Sequence, residues 1–225
     1  MTLHSIFRKG IFFLLLVLGS FSFSQEMEVA TDSLETKKYR YISYALGYNN
    51  LIPTGDNFIG QGLEGNGGFN FKVQIYVYKD FFVGVSVGAS YFNVADQIVV
   101  GNYNKTRIAE EYLYVGYEFE PLLDFYLGLT ASIIGSSRYK NTISESIFQR
   151  DSARLMSYGA YFVYEIVDEI QVYLDYNYRI DRTKIDVPNT LESIFKKGKF
   201  HQIGIGIRCS FIGDNFITSL FKKKK

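Results

Sequence analysis

The chain is poor in several things that would each point to a different kind of protein. It has a single cysteine, Cys209, among 225 residues. That excludes an intrachain disulfide and a cysteine-built metal cluster. It has only 3 prolines, so little interrupts extended backbone ladders. Its charges nearly cancel. Removing Arg8 and Lys9 from the 24 Lys and Arg residues leaves 22 basic against 23 acidic residues. Such a balance gives no reason to expect a nucleic-acid partner. Beyond the first two dozen residues no run is long and apolar enough for a spanning helix, which needs about 20 residues.

What the chain does contain begins with a leader. Arg8 and Lys9 precede an apolar core, Ile11 to Leu18, and Ser22-Phe23-Ser24 offers small residues for cleavage before Gln25. Residues 1–24 therefore read as a secretory signal peptide. The core is short for a membrane anchor, and the absence of a following cysteine argues against a lipidated form. A periplasmic segment, 25–38, is expected next, then one domain over 39–211 and a basic tail, 212–225, ending in Lys222–Lys225.

Aromatics and glycine are abundant, with 19 Tyr, 20 Phe and 20 Gly. They fall in runs of about ten residues with a two-residue rhythm. Phe69-Asn70-Phe71-Lys72-Val73-Gln74-Ile75-Tyr76-Val77-Tyr78 is the clearest, and Ile170 to Arg179 repeats it. Alternation of this kind gives a strand one apolar and one polar face. Eight strands are expected: Tyr39–Asn49, Gly68–Tyr78, Phe81–Asn93, Ile108–Phe119, Phe125–Ile134, Leu155–Ile166, Ile170–Ile180 and Phe200–Phe211. Short connections (Lys79-Asp80, Glu120–Asp124, Val167–Glu169) alternate with long ones (Asn50–Gly67, Val94–Arg107, Gly135–Arg154, Asp181–Lys199). That parity describes an all-β, antiparallel, up-and-down transmembrane barrel with short periplasmic turns and long extracellular loops.

The apolar face carries no charge along residues such as Tyr44, Leu46, Phe71, Val73, Val85, Leu113, Leu129, Phe162, Leu174 and Ile205. Its aromatics gather toward the strand ends as two girdles: Tyr48, Phe69, Tyr91, Tyr158 and Tyr176 on one side, Tyr117, Phe119, Phe125, Tyr164 and Phe211 on the other. A soluble lipocalin-like barrel would reverse the faces. Here the small and charged residues share one face, and an eight-stranded barrel has room inside only for that face.

The inward face, which includes Tyr41, Ser43, Gly84, Glu110 and Tyr112, also holds Lys72, Glu118, Glu165, Asp175, Arg179 and Arg208. A buried charge is too unfavourable to leave alone, so an ionic network is expected. Lys72–Asp175 would pair at mid-height, and Arg208 would meet Glu165 or Glu118 near the periplasmic rim. Such a lumen is plugged and is not a general-diffusion pore. No catalytic, cofactor-binding or metal-ligating set emerges. His201 faces outward with no serine or acid beside it, which disfavours a lipid-modifying enzyme. Gly60-Gln61-Gly62-Leu63-Glu64-Gly65 matches a dinucleotide fingerprint in letters, but it precedes a strand and lacks the required context; a flexible surface loop is the expectation. Ile143, Ile147, Phe148, Leu191, Ile194 and Phe195 are apolar loop residues. They either meet an external ligand or pack on the barrel mouth. Asn189 and Glu192 suggest a capped short helix in the last loop.

With the leader, eight alternating strands and paired girdles in place, the chain resembles the small outer-membrane β-barrels of the OmpA/OmpX type over about Tyr39–Phe211. Gly204 to Phe211 looks like the closing strand read by the barrel assembly machinery, although here the chain runs on past the aromatic. The resemblance implies an outer-membrane location, contact with lipid and lipopolysaccharide, and a structural or interaction role through external loops or an envelope partner. Transport of small hydrophobic molecules is the alternative and would need an apolar lumen. A lipid-modifying enzyme ranks third.

Overall fold

The computed structural model describes residues 39–144, 146–167 and 169–213. The leader, the segment 25–38 and the tail beyond 213, with Lys222–Lys225, lie outside them. Eight strands follow in order: β1 Tyr39–Thr54, β2 Leu63–Tyr78, β3 Phe81–Val94, β4 Lys105–Leu122, β5 Phe125–Thr142, β6 Phe148–Val167, β7 Ile170–Thr183 and β8 Lys197–Gly213. Each pairs antiparallel with the next, and β8 pairs with β1 to close the barrel. Closure leaves no sheet edge, which a sheet in lipid requires because its backbone groups have no water to bond. Among the described residues no helix is long and apolar enough to cross a membrane.

The short turns need an unusual backbone. Lys79, Asp124 and Glu169 all have left-handed φ, at 49°, 63° and 71°. The β4–β5 turn is tighter than expected, because β4 continues to Leu122 and leaves only Leu123 and Asp124 between strands.

The opposite rim departs more from the expectation. Strands run on into all four connections expected to be long, and furthest into the one between β5 and β6. What remains is Gly55–Asn57 with helix α1 (Phe58–Gly62), a crossing at 95–104 with helix α2 (Gln97–Val100), a tight link at 143–147, and 184–196 with a 3-10 turn and helix α3 (Glu192–Phe195). The reason is a change of solvent. Above the girdle the outward positions turn polar, and the inward positions Leu51, Phe92, Ile108, Leu155 and Phe200 turn apolar and are fully buried. The alternation persists with its faces exchanged, so strands continue where the lipid-facing pattern stops.

Three further expectations are corrected. Tyr41 points outward, beside Val73, Ile75 and Val83, because the β1–β8 register shifts between Arg40 and Ile42. A bulge places one extra residue on a strand and re-aims its neighbours, so Arg40 takes the inward place. The glycine run at Gly60–Gly65 is not a flexible loop: it forms the end of α1 and the start of β2, and the Asn57 side chain caps α1 by accepting from Ile59 and Gly60 at 3.1 and 3.0 Å. The last-loop helix forms, but Asn189 opens the 3-10 turn and gives no side-chain cap.

The interior divides into two packed regions. The lower contains Tyr76, Phe82, Tyr112, Tyr114, Tyr161 and Tyr173 among charges. The upper contains Leu51, Leu63, Phe92, Ile108 and Phe200, roofed by Phe58, Ile59, Ile194 and Phe195 from the connections. Phe58 and Phe195 stack at 5.4 Å.

Candidate functional site

The lumen is built by large side chains from some strands lying over glycines of others. A Cβ at Gly128 would sit on the Tyr161 ring, and one at Gly204 would displace the Asp175 carboxylate. This places rings and charges on the axis, where they meet at three levels.

Near the short turns Glu118 is a hub. Arg208 donates to both its oxygens, at 2.6 and 3.0 Å. Arg40 forms a second ion pair with it, and Tyr76 and Tyr161 donate their hydroxyls at 3.0 and 2.7 Å. A planar guanidinium matches a carboxylate two bonds at a time, which fixes orientation as well as charge. Glu165 does not meet Arg208. It accepts from Arg40 at 3.2 Å and from Gln171 at 2.9 Å, and Ser210 links Gln171 back to Arg208. Arg40 also lies over the Tyr126 ring, 3.6 Å from its centre.

At mid-height Lys72 is paired with Asp175, whose second bond comes from Asn177 at 3.0 Å. Around this pair is a cavity of about 30 Å³, lined by Gln74, Tyr112, Tyr114, Ser157 and Tyr173 among others. That is room for roughly one water molecule.

Above it Arg179, buried to 1% exposure, holds Asp181 through two bonds of 2.8 Å and forms an ion pair with Glu110. Ser137 accepts a further bond from Arg179, and Tyr139 donates to Asp181 at 2.6 Å. Arg40 and Asp181 were not foreseen. Arg40 becomes inward only through a bulge that leaves no mark in the alternation. Asp181 lay one residue past the expected end of its strand, yet it sits two residues from Arg179 and so shares its face.

The loop candidates separate. Ile194 and Phe195 pack on the apolar roof, while Leu191 is exposed. Ile143, Ile147 and Phe148 are all exposed at the β5–β6 tip, with Lys140 and Arg150 near the Phe148 ring. His201 lies outward among tyrosines, its Nδ1 2.7 Å from the Tyr176 hydroxyl. Among the described residues no group of three or more His, Cys, Asp or Glu is placed to hold a metal.

A closed sheet with an outward apolar band, aromatic girdles and an ionic core defines a transmembrane β-barrel. Its architecture, eight antiparallel strands closed up-and-down, is similar to that of small outer-membrane barrels of the OmpA/OmpX type. No family model matches the chain, and no curated protein matches it. Among solved structures it is similar to Neisserial surface protein A, with 12% identity, 76% of this chain and 97% of that chain covered, and a TM-score of 0.48. It is similar to Ail, the attachment invasion locus protein of Yersinia pestis, at 16% identity, 76% and 99% coverage and a TM-score of 0.44. For the outer membrane protein OprG from Pseudomonas aeruginosa the figures are 12%, 77% and 97%, and 0.48.

Proposed function

We propose that this protein is a non-enzymatic interaction barrel of the outer membrane, exported by its leader, inserted by the barrel assembly machinery and acting through its extracellular hairpins. The observation that carries the reading is the filled axis. Three ionic levels and an apolar roof occupy the lumen in series, so the molecule offers surfaces to its surroundings and no path through its centre. The hairpin tip at Ile143, Ile147 and Phe148 is the contact surface. It combines three exposed apolar side chains with flanking cations, whereas the other apolar connection residues mostly pack onto the roof.

Transport of small hydrophobic molecules has one point in its favour, the apolar upper interior. Those side chains pack against one another as one cluster, which disfavours it. Planar-bilayer recordings test the reading directly, with closed or only brief, small events expected; large steady conductance would overturn it. Shortening the β5–β6 tip is expected to remove surface binding while leaving insertion intact, and shortening the β3–β4 connection to leave binding unchanged.

A further inference from the structure

The middle level of the lumen carries more hydrogen-bonding capacity than its own side chains use. The Tyr114 hydroxyl, the Ser157 hydroxyl and the Asp175 Oδ1 atom are buried and bond to no other group among the described residues. Their residues are 3%, 4% and 3% exposed. All three line the chamber of about 30 Å³ beside Lys72, and they come from three different strands, β4, β6 and β7. A buried polar group without a partner gives up its hydration and gains nothing in return. Three around one chamber concentrate that loss in one place.

The wall beside the chamber is irregular at the same place. Leu113 pairs with Ile134 and Tyr114 with Ser132, which leaves Ile133 as an extra residue of β5. Across the next seam the paired rows stop at Ala131–Tyr158 and resume at Ser136–Arg154. Within that gap the Ser132 hydroxyl accepts from the Ser157 N–H at 2.7 Å, so a side chain does there what a backbone carbonyl does elsewhere in the sheet. Both serines line the chamber. A bulge interrupts its ladder and re-aims nearby side chains, and this one lies where the unpartnered hydroxyls collect.

Charge and size select the occupant. The chamber borders Lys72 and Arg208 as well as Asp175. Lys72 is already paired with Asp175, and Arg208 with Glu118. A cation in the chamber would face two fixed cations, and an anion would face the open oxygen of Asp175. A neutral molecule avoids both. It has to donate to a carboxylate and serve two hydroxyls as well, and the space holds about one water.

We propose that the chamber is a binding site for a single water molecule, held by Asp175 Oδ1, the Tyr114 hydroxyl and the Ser157 hydroxyl. The water donates to the carboxylate and exchanges hydrogen bonds with the two hydroxyls. It completes the solvation of an anion that Lys72 and Asn177 reach only through Oδ2. It also ties β4, β6 and β7 together through the lumen, at the height where the β5–β6 ladder is interrupted. The site is therefore a strut of the barrel and is independent of what the hairpin tips bind.

Two measurements on the protein refolded into phosphatidylcholine bilayers test this. In NMR, a long-lived water is expected to give a cross-relaxation peak at the ring of residue 114. The peak should vanish in Tyr114→Phe/Ser157→Ala, whose chamber keeps one of the three partners. The second measurement reads the sign of a filling substitution in urea unfolding. Ala45 lines the chamber from β1, and Ala45→Val adds two methyl groups there. Filling an empty space stabilises, whereas expelling a well-bonded water destabilises. Ala45→Val is therefore expected to lower the unfolding midpoint of the wild type, and to leave it unchanged or raise it in the Tyr114→Phe/Ser157→Ala background. A raised midpoint in the wild type, an equal loss in both backgrounds, or no water peak at residue 114 would overturn the proposal. Should Ala45→Val fail to fold, the NMR measurement decides alone.

Discussion

The lower and upper halves of this barrel are made from the same strands and obey opposite rules. In the lower half Val85, Leu174 and Ile205 face outward while Glu118, Arg208 and Asp175 are buried. In the upper half Phe92, Ile108 and Phe200 are buried while Arg107, Lys140 and Arg182 face outward. The exchange happens within single strands: β6 goes from Phe162 outward to Leu155 inward without a break in its ladder. What decides the direction of a side chain is therefore the medium at that height, with the backbone common to both. Apolar groups leave water, and where water is absent they lose that reason to go inside.

The contrast can be broken at either end. Glu118→Ala removes the carboxylate between two guanidinium groups and two hydroxyls. An unpaired buried charge is unfavourable by about 3–5 kcal/mol, so unfolding in urea from vesicles should show a loss of that order, with Arg208→Met in the same background recovering part of it. Phe200→Ala tests the upper core by a different mechanism. Removing a fully buried ring from a packed apolar cluster should destabilise by about 3–5 kcal/mol, read from the same unfolding curves, and the loss should persist in detergent micelles.

The outer wall supplies the next contrast. Leu174→Lys places a charge in the hydrocarbon band and should reduce insertion or stability by about 2–4 kcal/mol. Ser152→Asp, on the same outward face but above the girdle, should change folding far less, and a trypsin-shaving assay of inserted protein would compare them. The smallest effect is expected for Arg138→Ser. Its pair with Glu111 is largely exposed, and such pairs contribute about 0–1 kcal/mol; a loss above that range would mean the pair braces the β4–β5 hairpin.

The same two regimes explain what could be read without coordinates. The eight-strand barrel and the lipid-facing wall follow from one rule, apolar residues outward at every second position, which holds for the runs around Val73, Val85 and Leu174. The rule ends near Asn49, Ile134 and Leu155, and there the strands were expected to end too. Nothing in Leu155 or Phe200 marks the change of medium, since an apolar residue on the other face looks the same as a loop beginning. Arg208 and Glu118 could be placed together because both sit inward near one rim. Arg40 could not, because a single bulge at Tyr41 reverses the parity on which the placement depends. Asp181 is legible from its two-residue spacing to Arg179, which puts both on one face of a strand that runs to Thr183.

The ionic hub draws its members from far apart along the chain. Arg208 lies 90 residues beyond Glu118, and Arg40 lies 78 residues before it. Neither hairpin neighbour of β4 supplies a guanidinium to that carboxylate, so its charge is matched only when the first and last strands zip into one seam. Local hairpins can form early, but this contact waits for the whole circuit, as expected of ladders with long sequence separations. A chain halted before Lys197 would carry an orphaned anion at the foot of its sheet, so a half-made cylinder and a finished one differ in electrical completeness as well as in shape.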